Sequence, residues 1–307
     1  MRKQICDALV ERSGRPDMVF LTGDLGFMAL EPLKTAMGRR FINAGVAEQN
    51  MVSVAAALAR EGLDAWAYSI APFCYARPFE QIRNDVAFHN LPVKLIGNGG
   101  GYGYGVMGPT HHAIEDYGVL LTLPNMRAFV PAFDEDVAAT IARAGDCGGP
   151  AYLRLGRGEP PAGYAVPAYA PWRQLTAGGG MPVVVAGPLA GTCIEPFLGL
   201  PEPVRPNLWA IAELPLAHNP PPQALVDQIV RARRLCVVEE HVKRGGLGSE
   251  LALTALEQGW RLDGFHHLHA RAHHYPTYGS QTFLRKQSGL DPASVLAVAA
   301  PSLQAAL

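Results

Sequence analysis

Short apolar runs alternate with helix-length segments along most of the chain, and this alternation constrains the fold more than any other feature. MVFLTGD (18–24) is an apolar run that stops at Gly23 and Asp24, and FINAG (41–45) is a second short run. AWAYSIA (65–71), VKLIGNGG (93–100), MRAFVPA (126–132) and GPAYLRLGRG (149–158) continue the series. Between them lie stretches with helical patterning: 4–13, 47–62 ending at Gly62, 79–90, 112–124 and 134–145. Parallel strands need a crossover, and a crossover helix lies on the sheet it joins. The pattern therefore predicts an α/β fold with a mostly parallel sheet flanked by helices on both faces.

The texture changes after residue 158. EPPAGYAVPAYAPWRQLTAGGGMP is rich in Pro, Gly and Ala and has no apolar period, so residues 161–180 read as a linker. A second α/β unit follows, with strands at PVVVAG (182–187) and RLCVVEE (234–240) and helices at 224–233 and 246–259. A closing helix is expected after SGLD, with Asp291 as N-cap and Pro292 at the first helical position. The expected organisation is two domains, 1–160 and 181–307, each a mostly parallel sheet flanked by helices. With 49% hydrophobic and 17% charged residues, the chain can bury a sizeable core. Its formal net charge of -1 offers no electrostatic footprint for nucleic acid or an anionic membrane. No apolar window is long enough to span a bilayer, and the start MRKQICDALVERSGRPD lacks an apolar signal region. A cytoplasmic location is the expectation.

Few residues point to chemistry by themselves. Glu48 stands at the start of a helix directly after a strand. It reads either as an acid that complements the helix dipole or as a carboxylate held toward a ligand. Glycines crowd residues 97–108 and let backbone approach a ligand, but there is neither a GxxxxGK[ST] nor a GxGxxG in βαβ context. The segment FHHLHARAHHYPTYG (265–279) carries His266, His267, His269, His273 and His274. Strict alternation places His267 and His269 on one strand face, and no cysteine lies nearby to complete a ligand set, so no metal site is assigned. The five cysteines are scattered, with no CxxC pair, and indicate neither disulfides nor a zinc site.

Taken in order, TGDLG (22–26), INAGVAEQNMV (42–52), SIAPFCYARPFEQIRND (69–85), GPTHH (108–112), YLRLGRG (152–158) and VVEEHVKRGGLGSELA (237–252) resemble the transketolase family. The likeness covers almost the whole chain and runs through the family's thiamine-diphosphate pyrimidine-binding domain and its C-terminal domain. It implies that Glu48 holds N1′ of the cofactor's aminopyrimidine and promotes the imino tautomer, which takes the C2 proton. It implies that Phe73 stacks on that ring, with Ile70 where an aromatic usually helps enclose it. Asp24 is either an acid near the cofactor or a plain strand-end turn residue. His111 matches a histidine that faces substrate and aids proton transfer. Arg154 matches an arginine that contacts the sugar or its phosphate, and Arg157 is a second candidate on the same segment.

The family holds the cofactor's diphosphate through Mg²⁺ with a GDG motif followed by Asn. The only GD pairs here, GDLG and GDCGG, do not fit it. The resemblance therefore implies the C-terminal subunit of a split transketolase, which takes its Mg²⁺ ligands from a partner N-terminal subunit in a dimer of heterodimers. The implied reaction is transfer of a two-carbon ketol unit from a ketose to an aldose-type acceptor. The alternatives are the β subunit of a 2-oxo acid dehydrogenase-like enzyme and a non-catalytic scaffold. The substrate side departs from the family. Met107 stands where an Asp usually precedes GPTH, and Gly99-Gly100 stands where a His usually opens the loop. Met107, Tyr102 and Tyr104 are expected to line an apolar or aromatic channel, and the sugar is expected to differ from the common pentulose phosphates.

Overall fold

The computed structural model describes residues 1–273 and 278–301. The first half of the chain supplies β1 (Met18–Thr22), β2 (Phe41–Asn43), β3 (Asp64–Ile70), β4 (Lys94–Asn98), β5 (Arg127–Phe129) and β6 (Ala151–Leu155). The second half supplies β7 (Trp172–Thr176), β8 (Pro182–Ala186), β9 (Asn207–Ile211), β10 (Glu213–Leu214), β11 (Arg234–Glu239) and β12 (Gly264–His269). One sheet has seven strands in the order β10-β5-β6-β4-β3-β1-β2, and the other has five in the order β12-β11-β8-β9-β7. Apart from the pairs β10·β5 and β7·β9, which are antiparallel, all pairings are parallel.

Several strands are covered on both faces. Every residue of β1, β4, β6, β8 and β9 is buried, as expected where crossover helices sandwich a parallel sheet. Helix Glu48–Arg60 buries Met51, Val52, Ala55, Ala56 and Ala59, a stripe at helical spacing, and Gly62 follows it at φ +89°. All five cysteines are buried and unpaired. Asp291 caps helix Pro292–Ala299, accepting from the Ser294 N–H.

The segment expected to be a linker, 161–180, carries β7, the edge strand of the second sheet. Trp172–Thr176 alternates only partly and lies among prolines, so its strand character comes from antiparallel pairing to β9, a long-range contact that local composition does not record. β9 itself, NLWAI, is an apolar run that the pattern of the sequence alone did not single out.

The two halves interlock. β10 leaves the second half to pair with Ala128 and Phe129 of β5. Arg173 forks onto Asp136 at 2.8 and 2.5 Å, both residues buried. Glu239 and Glu240, at the end of β11, face the first half: Tyr117 donates to Glu239 and the Tyr102 N–H donates to Glu240 at 2.5 Å. Among the described residues no helix is long and apolar enough to cross a membrane.

Candidate active site at the carboxyl ends of the first sheet

β1 lies between β2 and β3, so the chain leaves it in one direction to form β2 and in the other to form β3 and β4. Such a reversal opens a crevice at the carboxyl ends of the strands, where open α/β sheets place their ligands. Asp24 follows β1, Glu48 follows β2, Phe73 and Arg77 follow β3, and Tyr104, Met107 and His111 follow β4. Residues far apart in sequence thus meet on one edge.

Glu48 is 4% exposed although it is charged and opens a helix. The turn before it needs Gly45 at φ +73°, and the Gly45 N–H is fixed by Asn43 Oδ1 at 2.9 Å. Both Glu48 oxygens accept from Arg77 Nη1, at 3.2 and 3.0 Å. The same guanidinium lies over the Phe73 ring, 4.1 Å from its centroid. Phe73 also meets His111 edge-on, with centroids 5.1 Å apart, and Tyr104 approaches His111 at 6.4 Å. Thr110 Oγ1 lies 3.0 Å from His111 Nδ1. Ile70 is half-buried at the end of β3, beside Asn98 of β4. A groove of about 280 Å³ opens past Val46, Glu48 and Arg77.

Asp24 sits at φ +55° and accepts from Asn43 Nδ2 at 2.8 Å. It lines a separate groove with Phe27, Glu31, Lys34 and Phe41, so it neighbours Glu48 through Asn43 without touching it. Met107 is 57% exposed on the turn Gly105–Met107. Tyr104 accepts from Asn98 Nδ2 at 2.6 Å and lines a cleft of about 580 Å³ with Arg2, Arg157 and Gln281.

Two expectations are corrected. Arg154 is not presented to a substrate. It is buried, pairs with Asp116 at 3.1 Å, donates to the carbonyls of Ala113 and Glu240, and lies over the Tyr117 ring. Its fork is spent joining the halves, whereas Arg157, 81% exposed, lines the cleft together with Arg2. Tyr102 lines no channel either: it is fully buried, packs with Ile114, Ala270 and Leu284, and donates to the Ala272 carbonyl. The glycines around it allow close packing rather than phosphate approach. A side chain at Gly99 would strike the Tyr104 ring, and one at Gly101 would strike Glu240.

Burial pushes the Cys74 thiol, behind the site, up to about 12, which makes it an inert core group. Glu239 is held below the usual carboxylate range. Burial pushes it up, but His267, His241, Tyr117 and the Gly248 N–H together outweigh that effect. His267 and His269 do share a strand face, with rings 5.0 Å apart, yet His267 is turned to Glu239 at 2.6 Å and His273 to Glu115 at 2.6 Å. His274 lies outside the described residues. Among those residues no group of three or more His, Cys, Asp or Glu side chains could hold a metal ion.

What fits this edge is a flat, nitrogen-rich ring with a site for a carboxylate. A planar cation already lies between Glu48 and Phe73, which shows that the space and chemistry suit such a group. Arg77 is the member of the site that the sequence did not reveal. Its only signal is its place four residues after Phe73, in the turn that follows the short helix Ala71–Tyr75.

Residues 6–162 match the model of the transketolase pyrimidine-binding domain. The chain is 30% identical over 271 residues to one of the subunits of the apulose-4-phosphate transketolase of Actinobacillus succinogenes, covering 85% of this chain and 84% of that protein. Over 159 residues it is 33% identical to the 6-deoxy-6-sulfo-D-fructose transketolase subunit SqwH of a Clostridium species, covering 50% of this chain and 49% of that one. A solved split-gene transketolase, described as an inactive beta4 tetramer, superposes with a TM-score of 0.82 at 29% identity, over 99% of this chain and 98% of that one.

Proposed function

The chain belongs to the transketolase family, and from that premise we propose that it is the C-terminal subunit of a split transketolase that moves a two-carbon ketol unit from a ketose to an aldose-type acceptor. The observation that carries this reading is the buried Glu48 carboxylate beside the Phe73 face and the His111 ring, on the switch-point edge of the first sheet. Thiamine diphosphate, when bound, supplies the carbanion chemistry that takes up and hands on the two-carbon unit. Glu48 would share a proton at the pyrimidine N1′. Phe73, with Ile70 beside it, would fix the plane of the ring, since a flat heterocycle gains most by stacking on a face from which water is excluded. His111, which lies beside Thr110, Phe73 and Tyr104, would pass protons at a substrate oxygen. Asp24 would act from the neighbouring groove, near the cofactor and the partner.

Residues 1–160 serve in this reading as the pyrimidine-binding domain and 181–307 as the C-terminal domain. The N-terminal subunit supplies the diphosphate site and the Mg²⁺ ligands, and two such pairs form a heterotetramer in the cytoplasm. The relatives named for apulose 4-phosphate and a sulfofructose point to specialised sugar metabolism. The exposed Met107 and the cleft between Tyr104 and Arg157 support a sugar with fewer polar groups near the reacting carbon and an anion farther away.

Glu48→Gln tests the reading. The amide keeps the shape but cannot share the proton. In the complex reconstituted with the N-terminal subunit, exchange of the cofactor's C2 proton and turnover should both fall by at least about a hundredfold, with unchanged thermal unfolding. Wild-type exchange and turnover in this variant would make Glu48 an ordinary first-turn acid.

A further inference from the structure

Arg77 touches both residues that the proposed function assigns to the aminopyrimidine. Its Nη1 donates to both oxygens of Glu48, and its guanidinium covers the Phe73 ring. It is thus a flat cationic donor between a carboxylate and an aromatic face, the two contacts proposed for the cofactor's ring. We infer that Arg77 is a built-in occupant of the pyrimidine subsite, which keeps Glu48 paired while the ring is absent and must turn out for the ring to enter. This inference rests on the proposed role of Glu48 and Phe73.

The anchoring of Arg77 suits a group that leaves. Arg154 and Arg173 each hold several partners and are almost wholly buried. The Arg77 side chain is 47% exposed, and among the described residues Glu48 is its sole hydrogen-bond partner. The groove beside it is open, so the long side chain can swing toward solvent while its backbone stays in place between Ala76 and Pro78. Glu48 does not have this freedom. It is buried on a rigid helix, and an unpaired buried charge is costly, so some cation or donor must meet it in every state of the protein. A planar guanidinium fills that role better than an ammonium because it can lie flat on Phe73 while donating. The consequence is competition within the chain. Apparent cofactor affinity is the intrinsic affinity multiplied by the fraction of molecules in which Arg77 is out.

The test is equilibrium titration of thiamine diphosphate with Mg²⁺ into the complex reconstituted with the N-terminal subunit, monitored by calorimetry. Arg77→Met keeps the stem and removes the plug. It should tighten binding by about tenfold, the worth of a hydrogen bond to a charged group, and Arg77→Lys should fall between Met and wild type. In a Glu48→Gln background, where the plug has lost its anchor, Arg77→Met should change affinity by less than about twofold. Unchanged or weaker binding by Arg77→Met, or an equal effect in both backgrounds, would overturn the inference. If Glu48→Gln slows C2-proton exchange while Arg77→Met leaves affinity unchanged, the plug alone is wrong. If Glu48→Gln alters neither exchange nor affinity, the pyrimidine reading falls and the plug with it.

Discussion

At the residue scale, Arg154 departs from the role that its sequence context suggests. Arg154 belongs to a segment associated with sugar recognition, but its guanidinium is buried against Asp116 and two carbonyls between the sheets. Removing one partner of a buried pair leaves the other charge unmet. Arg154→Met should therefore cost about 3–5 kcal/mol in urea unfolding, and the folded fraction should keep its KM. A large rise in KM with unchanged stability would restore Arg154 to the substrate side. His111→Asn should behave in the opposite way. Its ring stands at the site beside Phe73, so kcat should drop by about a hundredfold or more while thermal unfolding is unaffected. Glu48 is visible in the sequence as an acid at a strand-to-helix junction, which is local, but its site role comes from the ordered motifs of the family resemblance. Arg77 is not, because a long cation in a turn ordinarily points to solvent, and its partner lies far away in the chain.

At the element scale, the seam between the halves carries buried polar contacts beside its apolar ones. Glu239, at the end of β11, accepts from Tyr117, the Leu247 and Gly248 N–H groups and His267. Its folded carboxyl lies below the unfolded value of about 4.3. Its contribution to stability is therefore fully present above that pH and is lost as pH falls through the lower, folded value. Glu239→Gln should lower stability by about 1–3 kcal/mol at neutral pH, and its unfolding midpoint should vary less than wild type's between neutral and acid pH. Parallel pH curves for the two proteins would show that Glu239 does not titrate with folding. The Asp291 cap is simpler: Asp291→Ala should cost about 1 kcal/mol. The capped helix is plain in the sequence, since cap and first turn are adjacent residues. β7 and β10 are not, because an edge strand takes its identity from the strand it meets.

At the scale of the whole molecule, the described residues gather Glu48, Phe73, Arg77 and His111 on one edge and hold no metal-ligand cluster. Purified alone with thiamine diphosphate and Mg²⁺, the chain should show no ketol transfer. Adding the N-terminal subunit should restore activity along with a heavier species in sedimentation. Robust turnover by the lone chain would refute the split assembly. In the restored complex, a donor and acceptor panel should rank a deoxy, larger or otherwise modified sugar above xylulose 5-phosphate and ribose 5-phosphate. The reverse ranking would refute the reading of Met107. By itself the sequence determined the α/β class, most of the strands buried on both faces and the capped helices, and its family resemblance offered candidate roles for Glu48, Phe73 and His111. Those follow from period, local chemistry and ordered motifs, which need no distant partner. Only the tertiary structure decided that Arg154 and Tyr102 are seam residues, that 161–180 contains a strand and that Arg77 covers Glu48. Each of these is a pairing across a long stretch of chain, and the identity of a buried charge's partner depends on which elements the fold brings within reach.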